Sequence, residues 1–392
     1  MKWVVSMMHK RVKASARLRA MVAVAAMGTA LFAGAQVRGA GATTAESGVT
    51  TAPASGDAAS GDMAGREMSA DMDEAVNRGL SFLAKSQNSD GSIDGGGPTV
   101  ATTGLSVMAM LASGQVADEG RLGVTVRTAV DFLTRAVPDD GYVGKVDGSR
   151  MYGQGIATLA LAEAIGVETD QVRLKRMRAA LERLVGVIER AQDVTKDAAH
   201  AGGWQYEPQS TDSDLSVTAW CVLGLRAAGN VGIEMDKTRV DRAAGFVMSC
   251  YRPAQGGFAD QVGADASVSM TGAGVLSLML LDRGGSDAVT AGARYVIEHS
   301  TADTTEMPYD AIYYATTAAY QVGGSTQIIP AGRDSTWSTV WSRTSARLMA
   351  MRGKDGGWPA SPGGEEPGRV YATAMATLTL SVPYRVAPTN QR

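Results

Sequence analysis

A glycine-rich turn recurs along the chain at nearly even intervals. Its five copies are QNSDGSI (87–93), PDDGYVG (138–144), AGGWQY (201–206), QGGFAD (255–260) and KDGGWP (354–359). With one glycine of each turn as an anchor, successive copies lie 50, 62, 54 and 100 residues apart. The last step is two periods long, and a degenerate copy around EMPYDAIYY (306–314) fills it. A period of about fifty residues with one turn per unit is typical of stacked helical hairpins.

Two different helical patterns flank each turn. Before the turn, apolar residues recur with the spacing i, i+3, i+4, i+7, as at Val76, Gly79, Leu80 and Leu83. This spacing predicts an amphipathic helix with one buried face. After the turn the segments are apolar nearly all round, as in LSVTAWCVLGL (215–225), and such helices must be covered on both sides. The two patterns together predict an outer ring of amphipathic helices around an inner ring of apolar ones.

Six units give twelve predicted helices. The outer helices are predicted at 72–86, 124–136, 172–192, 238–251, 287–299 and 336–351. The inner helices are predicted at 99–113, 152–165, 214–228, 266–282, 310–322 and 370–381. We therefore predict an all-α fold, an α/α toroid of six helical hairpins in two concentric rings of six helices. A closed ring is favoured over an open solenoid because neither end carries the clearly polar capping repeat that open arrays need.

The N-terminus has the pattern of a secretory signal peptide. Five basic residues between Lys10 and Arg19 precede the short apolar run 20–35, which ends in the A-x-A-like sequence Ala33-Gly34-Ala35. The run is shorter than the roughly 20 apolar residues of a membrane-spanning helix, so cleavage before Gln36 is favoured over a retained anchor. The expected product is exported to the periplasm or the extracellular space and carries no membrane span. The predicted organisation is a signal peptide at 1–35, a disordered linker rich in Ala, Gly, Ser and Thr at 36–70, the toroid at 71–385 and a tail at 386–392.

Composition and cysteine content narrow the class of protein further. Hydrophobic residues make up 45% of the chain and the formal net charge is −3, so nothing in the charge favours nucleic-acid binding. Export would permit a disulfide between Cys221 and Cys250. Cys221 is predicted two turns inside an inner helix and Cys250 at the end of the next outer helix, and disulfide geometry is narrow, so we expect two buried free thiols.

The repeating unit of outer helix, Gly-Gly-aromatic turn and inner helix resembles the repeat of the protein prenyltransferase β subunits and of the squalene and oxidosqualene cyclases. The resemblance covers roughly residues 71–385. It is most specific in GGWQYEPQSTDSDLSVTAWCVLGLRAAG (202–229) and GGFADQVGADASVSMTGAGVLSLMLL (256–281). It implies an α/α toroid with an apolar central cavity, whose active end is formed by the N-termini of the inner helices and the turns before them.

The zinc site of the protein prenyltransferases is not matched in this sequence. That resemblance implies an Asp and a Cys two residues apart, and a His on a later inner helix. Here Asp265 is present, but Ser267 stands at the Cys position and Ala372 at the His position. A zinc site of this type needs soft thiolate and imidazole ligands. We therefore expect no metal, no cofactor and no zinc prenyltransferase activity.

The cyclases use an Asp-x-Asp-Asp run whose central acid protonates an alkene, and TDSDLSV (211–217) matches it in part. Asp212 and Asp214 are present, whereas Leu215 replaces the following acid. Resemblance to the cyclases thus implies Asp212 or Asp214 as the proton donor, an acid that desolvation or a neighbouring carboxylate must keep neutral. The alternative is structural, because an Asp before an apolar helix is a common N-cap.

Other polar and aromatic side chains are predicted at the same end of the barrel. Tyrosine faces would stabilise the cations of a cyclising polyene, and they suit a sugar chain equally well. Tyrosines at helix starts are also ordinary packing residues. The candidate cavity-binding residues are Tyr152, Trp204, Asp265, Tyr309, Asp310, Tyr313, Arg369 and Tyr371.

Three functions fit these observations. The first is an exported terpenoid cyclase-like isomerase that binds a hydrophobic, isoprenoid-like molecule. The second is a non-enzymatic toroid that binds a lipid, a peptide or a protein partner, with association to a membrane surface left open. The third is a polysaccharide lyase or glycosidase of the α/α barrel type, which would need convergent carboxylates.

Overall fold

The computed structural model describes residues 68–300, 307–323, 333–361 and 367–384. Twelve long helices lie in these ranges: α1 Ala70–Lys85, α2 Thr99–Ala112, α3 Gly123–Ala136, α4 Arg150–Ile165, α5 Gln171–Gln192, α6 Leu215–Asn230, α7 Lys237–Ser249, α8 Val268–Leu280, α9 Asp287–His299, α10 Tyr309–Gly323, α11 Arg333–Met351 and α12 Gly368–Leu380. The remaining elements there are a helical turn Gly144–Asp147, a 3₁₀ turn Val382–Tyr384 and a hairpin of β1 Tyr251–Arg252 with β2 Gly257–Phe258.

The even-numbered helices form a closed inner ring. Each contacts the next even-numbered helix along the chain, and α12 returns to contact α2. The odd-numbered helices pack against them from outside, as α5 does on α4 and α11 on α10. The predicted all-α toroid with two concentric rings of six helices is therefore confirmed, and the predicted helix ends agree with the observed ones within three residues.

Burial differs between the two rings as the sequence pattern requires. In α1 the buried residues lie on one stripe, which includes Val76, Gly79, Leu80 and Leu83. In α2 every residue from Val100 to Ala112 is buried, because outer helices cover one side and the other inner helices cover the rest. Burial of apolar surface is the main favourable term in folding, so the inner ring is the core of the molecule.

Neighbouring inner helices approach each other through glycines. A Cβ added at Gly155 of α4 would lie 2.7 Å from the carbonyl carbon of Trp220 in α6. A Cβ added at Gly272 of α8 would lie 2.8 Å from the amide nitrogen of Ala315 in α10. The backbones of these helix pairs are therefore in direct contact, and the ring is tightly packed at both places.

In three of the repeats, the loop of the following repeat covers the N-terminus of the preceding inner helix, as seen at α2, α4 and α6. The Leu215 amide of α6 donates to the carbonyl of Asp260 at 2.8 Å, and the Met151 amide of α4 donates to the carbonyl of Tyr206 at 2.9 Å. In α2 the amide of Val100 donates to the carboxylate of Asp147 at 2.6 Å. These bonds satisfy amides that a helix leaves free at its start. The end of the ring where the inner helices begin is here called the mouth, and at α2, α4 and α6 two neighbouring repeats contribute to it.

Several predicted segments lie outside the described residues. These are the signal peptide, residues 36–67 of the linker and the tail at 386–392. The first described helix begins at Ala70, next to the predicted start of the toroid at residue 71. Across the described ranges, none of the helices combines the length and hydropathy that crossing a membrane requires. Cys221 and Cys250 are both buried and free.

Candidate functional site

Asp214 lies at the mouth and caps α6. Its Oδ1 accepts hydrogen bonds from the Val217 amide at 2.8 Å and from the Ser216 hydroxyl at 2.9 Å. Its own amide donates to the carbonyl of Trp204 at 2.9 Å, which ties the residue to the turn before it. The residue is only 2% exposed. The structural role expected of an Asp in front of an apolar helix is therefore present, and the carboxyl group is at the same time removed from water.

The environment of Asp214 favours its neutral form. Burial raises the pKa of the carboxyl group, and the negative charge of Asp260 raises it further, whereas the hydrogen bonds from Val217 and Ser216 lower it. The net pKa is about 6. A carboxyl group with this pKa holds its proton in mildly acidic solution and can donate it there, as a general acid requires.

Ser216 connects Asp214 to two further groups at the mouth. Its amide donates to Oδ1 of Asp260 at 3.0 Å. Its hydroxyl lies 2.6 Å from the hydroxyl of Tyr152 in α4. Because the serine proton is directed at Asp214, the hydrogen bond between the two hydroxyls is donated by Tyr152. Burial raises the pKa of Tyr152, so the phenol stays protonated and able to donate.

Three aromatic side chains pack together across the inner ring below the mouth. Trp220 of α6 stacks on Tyr313 of α10 with ring centres 6.0 Å apart and planes 2° apart. Tyr314 packs against Trp220 at 5.8 Å and against Tyr313 at 5.7 Å. These three residues are called the aromatic layer. Helices α6 and α10 are separated in the ring by α8, so the layer spans the inside of the ring, where the sequence predicted a cavity.

A second carboxyl group lies at the start of α10. Asp310 accepts hydrogen bonds from the Ala311 amide at 2.8 Å and from the Ser269 hydroxyl of α8 at 3.3 Å. Burial raises the pKa of Asp310 as it does that of Asp214. The mouth therefore holds two desolvated carboxyl groups on different inner helices. The half-buried side chain of Tyr371 at the start of α12 packs against the core near them.

Three of the predicted site residues lie away from these groups. The carboxylate of Asp212 is 62% exposed, and its Oδ1 lies 3.9 Å from Nε2 of His200. Asp265 is exposed and accepts a hydrogen bond from Gln255 at 2.8 Å. Arg369 forms an ion pair with Asp355 at 2.9 Å, and its guanidinium group lies 4.9 Å from the centre of the Phe82 ring. Of the two candidate proton donors, only Asp214 is desolvated.

Trp204 and Tyr309 connect neighbouring parts of the scaffold. The indole of Trp204 is buried and its Nε1 donates to the carbonyl of Ile188 in α5 at 2.7 Å. The buried Tyr309 donates its hydroxyl proton to the carbonyl of Pro359 at 2.8 Å. Both polar atoms are satisfied by backbone groups, as buried polar atoms usually are.

Sequence reasoning did not single out Trp220, Tyr314, Ser216 and Asp260. Trp220 and Tyr314 belong to segments that are apolar nearly all round, so periodicity does not show which face of these helices points to the inside of the ring. For Asp260 the sequence did hold a signal, because this residue directly follows the turn QGGFA. From this position the loop contacts the start of α6, the preceding inner helix.

The described side chains bring no metal site together. Nowhere in the described ranges do three His, Cys, Asp or Glu side chains approach closely enough to bind one ion. Cys221 is fully buried in α6, and this burial raises the pKa of its thiol.

Comparison with known proteins gives likenesses of fold. No family model matches the sequence, and no curated protein matches it. Among solved structures, D-mannose isomerase is similar with a TM-score of 0.54 at 13% identity, over 82% of this chain and 97% of that one. A glycosidase is similar with a TM-score of 0.51 at 10% identity, over 81% and 98%. The apo type II terpene cyclase MstE from Scytonema is similar with a TM-score of 0.50 at 13% identity, over 81% and 99%.

These likenesses define the class of fold. The toroid expected from the repeat is shared with a terpene cyclase, a glycosidase and an isomerase. One scaffold thus carries different chemistry in different proteins, and function has to be argued from the site.

Proposed function

We propose that the protein is a terpenoid cyclase-like isomerase that starts its reaction by protonating an alkene, with Asp214 as the proton donor. One observation carries the proposal. Asp214 is a buried carboxyl group with a pKa of about 6, at the mouth of the ring and six residues before Trp220 of the aromatic layer. A buried ionisable group beside a second carboxylate is characteristic of functional sites. The proposed substrate is a linear, isoprenoid-like molecule.

The chemistry needs no co-reactant. Neutral Asp214 transfers its proton to one carbon of a terminal double bond, and the other carbon becomes a tertiary carbocation. Neighbouring double bonds attack this cation in turn, and each attack forms one carbon–carbon bond. The last cation loses a proton to a base, and solvent reprotonates the Asp214 carboxylate, so substrate and product are isomers. The faces of Trp220 and Tyr313 would stabilise the intermediate cations.

A non-enzymatic binding toroid is the second candidate function. The observation that favours it is the stacking of Trp220 on Tyr313 at 6.0 Å, since these rings fill space that a long substrate would need. In this alternative, a lipid or a peptide binds at the mouth and Asp214 acts only as a cap and as a hydrogen-bonding group.

Product analysis separates the two functions. Purified protein is incubated at pH 5.5 with squalene or geranylgeraniol, and the extract is examined by gas chromatography with mass spectrometry. A new compound with the mass of the substrate supports the isomerase. A ligand-induced rise in melting temperature without any product supports the binding toroid. If neither molecule yields a product or stabilises the protein, the proposed isoprenoid ligand is contradicted.

The rate of an Asp214-initiated reaction is expected to depend on pH. The carboxyl group must be protonated to act, so kcat/KM should fall about tenfold for each pH unit above about 6. Initial rates measured between pH 5 and pH 8 test this. A rate that is constant across that range would exclude Asp214 as the proton donor.

We also propose that the protein is exported after removal of residues 1–35. The basic segment, the short apolar run and Ala33-Gly34-Ala35 support this proposal. N-terminal sequencing of the protein from its native cells is expected to begin at Gln36. A chain that begins at Met1 and fractionates with the cytoplasm would contradict export.

A further inference from the structure

Tyr314 holds a polar atom that no residue in the described part of the chain satisfies. The residue is only 1% exposed, and its hydroxyl has no hydrogen-bond partner among the described residues. Buried hydroxyl groups are normally hydrogen-bonded, because removing one from water without a partner is unfavourable. The hydroxyl of Tyr314 is therefore able to form a hydrogen bond with a molecule that binds inside the ring.

The surroundings of Tyr314 place its hydroxyl beside the polar groups of the mouth. Asp310 precedes it by four residues on α10, so the two side chains lie on the same face of the helix. Burial raises the pKa of Tyr314, and the carboxyl group of Asp310 and the phenol groups of Tyr152 and Tyr371 are polar neighbours of its hydroxyl. They belong to the N-terminal ends of three inner helices.

The ring of Tyr314, in contrast to its hydroxyl, lies among aromatic side chains. It packs 5.8 Å from Trp220 and 5.7 Å from Tyr313. Its hydroxyl therefore lies where the aromatic layer meets the mouth. An apolar chain held against the layer would bring its end group to this place, next to the hydroxyl of Tyr314 and the carboxyl group of Asp310.

We infer that the ligand is an oxygenated isoprenoid rather than a hydrocarbon, and that its hydroxyl or carbonyl oxygen hydrogen-bonds to Tyr314. This inference rests on the proposed function and names the substrate class for the same site. A hydrocarbon would leave the tyrosine hydroxyl unsatisfied in the complex as well. An oxygen atom at the end of the chain would satisfy it, with Asp310 as a second hydrogen-bonding group beside it.

Two matched probes test the inference by binding alone. Geranylgeraniol is compared with the C20 hydrocarbon in which a methyl group replaces its hydroxymethyl group, and Kd is measured by tryptophan fluorescence. Wild-type protein should bind the alcohol about tenfold more tightly, the effect of one buried hydrogen bond. Tyr314→Phe should lose most of this preference, and Asp310 alone should support only a small remainder. Without ligand the variant should melt at the wild-type temperature or above, because it loses no hydrogen bond to any described residue.

Tyr320→Phe is the matched control. It makes the same chemical change on the same helix, but the Tyr320 ring packs against Trp337 of α11, 5.3 Å away, and not in the aromatic layer. This variant should keep the preference for the alcohol.

The outcomes distinguish the inference from the function on which it rests. If wild-type protein binds both probes equally, the inferred oxygen is wrong while the isoprenoid ligand stands. If Tyr314→Phe keeps the tenfold preference, the assignment to Tyr314 is wrong. If neither probe binds wild-type protein, the proposed function fails and the inference fails with it.

Discussion

Gly155→Ala is expected to lower the free energy of unfolding by about 1–3 kcal/mol or more, the usual cost of overfilling a packed core. The added Cβ would lie 2.7 Å from the carbonyl carbon of Trp220 and 2.9 Å from its Cβ. Backbone atoms cannot rotate away as a flexible side chain can, so α4 and α6 must separate. Equilibrium urea denaturation of wild type and variant measures the difference.

Gly245→Ala provides the control for this prediction. Gly245 lies in the outer helix α7, is exposed, and has no atom within 4 Å of the position a Cβ would take. Alanine favours helix over glycine by up to about 1 kcal/mol, so this variant should be more stable than wild type. The same substitution is therefore expected to lower the free energy of unfolding in the inner ring and to raise it in the outer ring. Equal effects at both positions would contradict the backbone contact between α4 and α6.

Asp214→Asn is expected to stabilise the protein at pH 7 and to leave its stability nearly unchanged at pH 4. Burial raises the pKa of Asp214 in the folded state to about 6, from about 3.8 for an exposed aspartate. Between these values the folded state binds more protons than the unfolded state, so wild-type stability falls as pH rises through this window. The free energy of unfolding of the wild-type protein falls by about 2–3 kcal/mol across this window, and it stays lower at pH 7. Asparagine has no charge to desolvate and can still cap α6.

Denaturation of both proteins at pH 4, 5, 6 and 7 measures this difference. The raised pKa of Asp310 is present in both proteins, so its effect cancels in the difference between their stabilities. Asp214→Ala should be less stable than Asp214→Asn by about 0.5–2 kcal/mol, the cost of a lost cap. Asp212→Asn makes the matched change at an exposed position and should follow the wild-type profile. Parallel profiles for wild type and Asp214→Asn would show that the buried carboxyl group does not have a raised pKa.

The sequence predicted the fold in detail because the two rings have different patterns. The stripe of Val76, Leu80 and Leu83 recurs in the outer helices, and only the inner segments are apolar all round. The repeat then fixed the order of the helices. Ring closure followed from the missing polar caps and is seen in the contact of α12 with α2.

The site was less predictable, for physical reasons that particular residues illustrate. Asp212 and Asp214 are two residues apart in the same loop, yet one is exposed and the other buried. Tertiary packing decides which of the two is buried, since the backbone amide of Asp214 is hydrogen-bonded to the carbonyl of Trp204 in the preceding turn. Arg369 lies at the start of α12, and its guanidinium group is bound by Asp355 in the turn before that helix, a pairing that the sequence did not reveal. The aromatic layer was hidden because an all-apolar helix does not reveal which face points inward.

A buried carboxyl group that lowers stability at pH 7 needs a reason to be there. Stability alone would favour asparagine at position 214. Active sites commonly retain groups that reduce stability, because function depends on them. The central claim is that Asp214 is retained as an acid for chemistry and not only as the cap of α6.

Turnover by Asp214→Asn at pH 5.5 tests this claim most directly. Wild type and variant are incubated with geranylgeraniol, product isomers are quantified by mass spectrometry, and the unfolding of both proteins is measured in the same buffer. The account predicts that the variant unfolds at an equal or higher urea concentration and forms at least a hundredfold less product, the loss typical of a missing general acid. A variant that is as stable and forms product at the wild-type rate would contradict it and leave Asp214 as a helix cap.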